Sequence, residues 1–480
     1  MTRTVGEPLP WVDPEDFFVA HAAERSRSFW LDGENARSWS GPRSYVGWLD
    51  DEEPSLTLDA HGGIVRLHDA WSTSDVGGDI FEVLRERVGA GDDAAHWVGY
   101  LGYAARRDLP ALADPDPGAV PDACWLRAER WVEFDHVERT VRAVAAADAV
   151  ASWQETVALL VAGTAVAPEL PAPPQICATG RIGAGEYAAA FWTVQEHLRL
   201  GNSYETNLTF QTTVESTASA LDTYRRLRRL NPAPYAAYLH HLGTSVLCSS
   251  PERFVTIDSD RRIETRPIKG TTARSPDPAA DATAAELLRT DGKFRAENLM
   301  IVDLLRNDLS RVCDVGTVQV TDLMHVESYV TVHQLVSTIE GRLRADVLTV
   351  DAVRAIFPGG SMTGAPKERT MQIITEVESS PRGVYAGALG WIAADGSADL
   401  AIIIRTVVHH GGTYTFGTGG GLTVRSDLEE EHAEATWKAT RLLQALGATS
   451  PGPPRAEGSG CDGVSWRPNR ASPARSRDRR

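Results

Sequence analysis

Basic residues are in short supply in this chain: 48 Lys and Arg stand against 65 Asp and Glu, a net charge of −17 over 480 residues. A nucleic-acid partner calls for a basic face to replace phosphate counterions, so that class of function is excluded. Cysteine is scarce as well. The five residues, Cys124, Cys177, Cys248, Cys313 and Cys461, are scattered and odd in number, with no metal-ligand spacing and no disulfide framework. No window is long and apolar enough to cross a bilayer, and the opening Met1-Thr-Arg-Thr-Val-Gly-Glu lacks the apolar run of a signal peptide. These absences predict a reduced, cytoplasmic protein with no membrane and no nucleic-acid partner.

What is present is ordinary for a globular chain, 42% apolar and 24% charged, with length for about two to three domains. Residues 1–165 read as an N-terminal region. Alternating apolar runs at 29–32, 45–49 and 97–103 predict strands, 131–134 and 141–145 a hairpin, and 149–162 an Ala-rich helix. A proline-stiffened connector at 166–176 separates it from a second unit, 177–446. That unit opens on a helix at 184–200 and the strand Tyr-Glu-Thr-Asn-Leu-Thr at 204–209. A long helix or broken helix pair is expected over 282–308. From 447 to 480 the chain is Pro, Gly, Ser and Arg, which predicts a disordered tail.

One stretch organises the rest, Arg-Pro-Ile-Lys-Gly-Thr-Thr at 266–272. Pro267 fixes the approach and Gly270 frees the turn behind it, which leaves Lys269 on a stiff, bent connection. Upstream lies Ser-Pro-Glu-Arg-Phe at 250–254, across a hairpin through 258–260. Pairing would bring the Glu252 carboxylate towards the Lys269 amine, either as a strand-edge salt bridge or as part of a site. Two helices carry further carboxylates. Asp427 is a credible N-cap, and Glu431, Glu434 and Lys438 fall on one face, solvated or functional. Glu297 sits beside an apolar face made of Leu299, Ile301, Val302 and Leu305. One carboxylate from each helix suits Mg²⁺, which takes few protein oxygens and keeps positions open for water and substrate.

The glycine-rich runs do not fit nucleotide loops. Gly-Thr-Gly-Gly-Gly at 417–421 has Leu422 where a dinucleotide fingerprint needs its third glycine, and Pro366 breaks the Gly-Lys pair that a phosphate loop requires. Both could offer backbone N–H groups to a carboxylate. Arg405, on the apolar run 401–408 read as one buried strand, is either a carboxylate clamp or the partner of a core acid.

Taken together, these motifs resemble the chorismate-utilising enzymes. The resemblance is carried by Ser-Pro-Glu-Arg-Phe, Arg-Pro-Ile-Lys-Gly-Thr, Ala-Glu-Asn-Leu-Met-Ile-Val-Asp-Leu-Leu-Arg-Asn-Asp at 296–308, His-Gln-Leu-Val-Ser at 333–337, Gly-Ser-Met-Thr-Gly-Ala-Pro-Lys at 360–367 and the Glu431/Glu434/Lys438 helix. It covers 180–446 in order. It implies an α+β fold of two packed antiparallel sheets with helices outside, the N-terminal strands joining those sheets. Within the family, Pro-Ile-Lys-Gly-Thr and Glu205 in Tyr-Glu-x-Asn-Leu resemble the aminodeoxychorismate synthase branch. Anthranilate synthases carry Ala at the Lys269 position, and the isochorismate and salicylate branch carries a general-base Lys at the Glu205 position.

That branch implies amination of chorismate at C4, with Lys269 adding at C2 and Glu252 protonating the departing hydroxyl. A lysine of pKa ~10.4 is neutral only about once in a few thousand at pH 7, so burial or a nearby cation is expected to lower it. The resemblance further implies Mg²⁺ through Glu297 and Glu434, with Glu431 on its waters. Arg405, Tyr385, Lys438 and the amides of Gly419, Gly420 and Gly421 would hold the enolpyruvyl carboxylate, and His333 and Thr363 would line the ring. Trp437 departs from the family, which usually has a small or polar residue there. No Cys lies in a Gly-x-Cys-x-Gly context, so ammonia is expected from a glutamine amidotransferase subunit or from solution. The alternatives are anthranilate synthase component I and a non-catalytic chorismate-binding regulator. The product would serve a folate route, through para-aminobenzoate, or an antibiotic one.

Overall fold

The computed structural model describes residues 3–449 except 36, 38, 89–94, 117, 175, 178–182, 330 and 331. The expected tail at 447–480 therefore lies, from 450 on, outside the described residues. Two large antiparallel sheets, of 11 and 12 strands, carry the architecture. Strand His96–Leu101 shows why they stack. All six of its residues are buried, Val98 and Tyr100 between the sheets and Trp97 and Leu101 on the helix-covered face. A period of two with both faces apolar is what a doubly covered strand requires.

Between the sheets, Tyr100, Leu126 and Leu389 of one mesh with Leu239, Val246 and Cys248 of the other. On the far side of the 12-stranded sheet, Ile80 and Leu84 of helix Ile80–Val88 and Ile301 and Leu305 of helix Gly292–Ser310 close a second core. The other sheet is covered by helices Pro14–His21, Val150–Gly163, Ala220–Leu230 and Leu428–Leu446, through Phe17, Val157, Tyr224 and Leu442. The result is helices, sheet, sheet, helices: the α+β arrangement implied above. No helix among the described residues is long and apolar enough to cross a membrane.

Strands from the first 165 residues are hydrogen-bonded into both sheets. Trp30 of Arg27–Asp32 stands opposite Tyr238, and Gly99 of His96–Leu101 opposite Gly390. A buried ionic cluster adds to this. Arg228, on helix Ala220–Leu230, donates to Asp32 at 2.7 Å and to Glu15 at 2.9 Å. The proline-rich connector lies against the same helix, the carbonyls of Pro168 and Pro171 accepting from Arg225 and Arg226 at 2.7 and 2.8 Å.

Two local expectations need correction, and a third is decided between its alternatives. Leu299 is 53% exposed rather than buried, because it points away from the sheet that Ile301, Val302 and Leu305 cover. The 282–308 region is a broken pair, Pro278–Thr290 and Gly292–Ser310, divided where Asp291 caps the second helix by accepting from the amides of Lys293 and Phe294. The run 401–408 is two strands. Ala398–Ile402 belongs to the 12-stranded sheet and Thr406–His410 to the other, so Arg405 sits where the chain passes between sheets, at φ +51°.

Candidate active site

Lys269 owes its position to a break in strand register. After Pro267 the strand Ile268–Ala273 pairs with Val332–Arg342, and the register slips between Ile268 and Thr271. Gly270 takes φ +92°, and a β-carbon there would stand 3.1 Å from the Phe294 ring. The resulting bulge turns Lys269 into a cavity whose void, mouth included, is about 980 Å³, a size that suits a small organic acid. Lys269 is 9% exposed, and its ammonium donates to Glu205 Oε1, from the first residue of strand Glu205–Glu215. Burial works to strip its proton, but Glu205, followed by Glu297 and Glu252, outweighs that and holds the pKa above its usual value. The expectation of a lowered lysine is overturned. A bonded carboxylate favours the charged amine more than burial disfavours it.

Glu252 lines the same cavity, 5% exposed, just ahead of strand Arg253–Ile257. Burial pushes its carboxyl up to about 7, against the Ser361 hydroxyl, the Lys269 charge and the Ile268 amide. A carboxyl poised there can hold a proton at neutral pH and release it to a leaving oxygen.

The helix carboxylates converge from the other side. Glu297, from helix Gly292–Ser310, is also raised to about 7 by burial, and its Oε1 is buried without a protein partner. Helix Leu428–Leu446 contributes Glu431, Glu434 and Lys438, all lining the cavity. Asp427 caps it by accepting from the amides of Glu429 and Glu430. Lys438 donates to Glu434 at 2.8 Å and to the Gly419 carbonyl at 2.9 Å. Among the described residues no group of three or more His, Cys, Asp or Glu side chains closes into a metal cage. Mg²⁺ does not need one, since it binds through one or two carboxylates and keeps its waters. The orphaned Glu297 oxygen, with Glu434 and Glu431 on the facing helix, fits that mode.

At the far wall stand Arg405 and Tyr385. The Arg405 guanidinium lies 5.7 Å from the centre of the Trp437 ring. Burial lowers its pKa despite Tyr385 and Glu434, the mark of a cation short of counter-charge and suited to an anionic ligand. Trp437 thus supplies the face on which this arginine rests. Gly419, Gly420 and Gly421 line the cavity as part of strand Thr413–Leu422, paired residue for residue with Glu205–Glu215. Successive amides of a strand point to opposite edges, so the three cannot converge as a loop would make them; only alternate ones can face a ligand.

A model of the chorismate binding enzyme family matches residues 29–444. The chain belongs to the chorismate-binding enzyme family. Aminodeoxychorismate synthase of Streptomyces pristinaespiralis is 40% identical over 458 residues, which is 90% of this chain and 64% of that protein, so the chain spans just under two thirds of that relative's length. Aminodeoxychorismate synthase component 1 of Klebsiella aerogenes is 34% identical over 415 residues, 82% of this chain and 89% of that protein. Among solved structures, anthranilate synthase component I from Streptococcus pneumoniae superposes with a TM-score of 0.72 at 26% identity, covering 83% of this chain and 92% of its own.

Two residues that the family resemblance placed on the ring stand elsewhere. His333 is 3% exposed but bonded on both ring nitrogens, to Ser328 Oγ at 2.7 Å and Asp281 at 3.0 Å, while its strand neighbour Gln334 lines the cavity. The period-two alternation of Val332–Arg342 turns the histidine to the opposite face. Thr363 is fully buried, its hydroxyl donating to the carbonyls of Gly359 and Gly360 within the short helix Gly360–Thr363, whereas Ser361 and Met362 line the site. Lys367, from the same motif, pairs with Asp308 at 2.7 Å. Sequence reasoning missed Lys293, which donates to Glu431 at 3.0 Å and lines the cavity. Its spacing of four from Glu297 on one helix was the available signal. It also missed that the partner of Lys269 is Glu205, a contact between strands far apart in the chain.

Proposed function

We propose that the chain aminates chorismate at C4 to give 4-amino-4-deoxychorismate, with ammonia supplied by a glutamine amidotransferase partner. Replacing a ring hydroxyl by an amine with its configuration kept takes two successive displacements. Lys269 adds at C2 as the C4 hydroxyl leaves with the Glu252 proton, and ammonia then adds at C4 as Lys269 departs. Arg405, Tyr385, Lys438 and the cavity-facing amides among Gly419 to Gly421 orient the enolpyruvyl carboxylate. Glu297 and Glu434 would hold Mg²⁺, with Glu431 placed to bond its waters, and the ion would supply positive charge for the ring carboxylate.

The observation that carries this reading is a buried primary amine in a chorismate-family cavity, beside a carboxyl raised to about 7. The names of the Streptomyces and Klebsiella relatives support the same product, and "component 1" supports a partner subunit. The likeness to an anthranilate synthase favours a second reading, amination at C2 with loss of pyruvate. Lys269 speaks against it, because its amine takes the place from which C2 would be attacked. Incubation with chorismate, Mg²⁺ and ammonium, followed by the mass and absorbance of the product, decides. A C4 amine that retains the enolpyruvyl group is expected, and anthranilate with free pyruvate would overturn the assignment.

A further inference from the structure

Three strands meet around a single contact at the floor of the cavity. Glu205 is fully buried, its Oε1 accepts from Lys269 Nζ, and its Oε2 is buried with no protein partner. Opposite stands Gly421, where a β-carbon would overlap Glu205 Oε1 and lie 3.0 Å from Lys269 Nζ. A buried ion pair is weak evidence for stability, since an apolar pair of similar volume would serve as well. A buried carboxylate with one oxygen left over, and a glycine kept small to make room for it, suit a group that receives a proton. The other charges that face Lys269 are Glu297, from helix Gly292–Ser310, and Glu252, ahead of strand Arg253–Ile257. Neither has a hydrogen bond to Nζ, whereas Glu205 does.

We infer that Glu205 takes the proton from the Lys269 ammonium as that amine attacks the ring, and returns it when the amine leaves. The inference rests on the amination proposed above. In the first half, the nitrogen lone pair forms the bond to C2 while its former proton moves to Glu205. The ring double bond shifts, and the C4–O bond breaks with the oxygen leaving as water on the Glu252 proton. In the second half, ammonia bonds to C4, and the C2–N pair returns to Lys269, which recovers its proton from Glu205. The new ammonium group reprotonates Glu252. The sum is chorismate plus ammonia giving the amine plus water, with both carboxyls back where they began.

The test uses the full chain with chorismate, Mg²⁺ and ammonium, free ammonia being held constant as pH is varied from about 6 to about 9. Glu205→Gln should lower kcat by about 100-fold or more at neutral pH and change KM for chorismate by less than about threefold. The ratio of its rate to that of the wild type should climb about tenfold per pH unit as solvent takes over the deprotonation, the fall that Glu252 imposes above about 7 being common to both. Glu205→Ala should regain at least about tenfold on addition of formate, which fills the vacated place with a carboxylate; this readout stands even where the Gln variant fails to fold. A Glu205→Gln variant within about threefold of wild type, or an altered rate with a wild-type pH profile and no formate rescue, would overturn the role. Wild type that makes no amine from chorismate would overturn the functional reading and this role with it. Active wild type beside an equally active Glu205→Gln overturns the role alone.

Discussion

Around Arg228, buried charges meet and every one of them is answered. The guanidinium donates to Asp32 at 2.7 Å, Glu15 at 2.9 Å and Glu34 at 2.5 Å, and Glu15 is met again by Arg225 at 2.8 Å and Arg229 at 2.6 Å. Around Lys269, buried charges also meet, but Glu205 Oε2 and Glu297 Oε1 have no protein partner, and Glu252 and Glu297 are raised to about 7. Both clusters take charges out of water, and only one is closed. The closed one clamps the N-terminal strands to helix Ala220–Leu230. The open one leaves polar atoms free to bond a ligand, the pattern expected of a functional cluster rather than a structural one of similar composition.

The difference can be broken in four ways. Lys269→Met should abolish amination, a fall in kcat of about 10⁴-fold or more (about 5 kcal/mol), read as product formed from chorismate and ammonium. Arg228→Met should do the opposite. It strands Asp32, costs about 3–5 kcal/mol in urea denaturation, and leaves kcat of the folded protein unchanged. A loss of activity without loss of stability at Arg228 would erase the distinction.

Glu252→Gln should lower kcat by about 10²- to 10³-fold. In the wild type, activity should fall as pH rises through about 7, because Glu252 then loses the proton it donates. The same group carries a stability signature. Its folded pKa lies above the unfolded value, so the native state binds more protons between the usual carboxylate range and about 7, and stability falls as pH rises through that window. Urea midpoints measured across it should show a shallower slope in Glu252→Gln. The smallest effect is expected at Gly421→Ala, about tenfold in kcat with little change in melting temperature, since the added methyl presses on Glu205 and Lys269 rather than on the core.

Much of this is legible in the sequence. Periodicity found the strands at Trp30, Trp97 and Phe134, and the one-face spacing of Glu431, Glu434 and Lys438 predicted a common orientation that the cavity shows. Pro267 and Gly270 announced the bend that presents Lys269. What stayed hidden depends on three-dimensional neighbours. The sheet crossing at Arg405 looks like continuous apolar strand in one dimension. The strand Thr413–Leu422 looks like a loop because its glycines are there for close approach to Glu205–Glu215, Gly419 having the Leu208 carbonyl where a β-carbon would go. His333 was misplaced by one strand position, which is enough to reverse the face.

The account turns on whether the Lys269 nitrogen bonds to the ring. Intact-protein mass spectrometry of the enzyme mixed with chorismate and Mg²⁺, without ammonia, answers that directly. A mass gain of one chorismate less one water, mapped by peptide digestion to Lys269 and discharged by added ammonium, is the predicted result. An enzyme that aminates chorismate while its Lys269 never gains mass, with Lys269→Met still active, would contradict it.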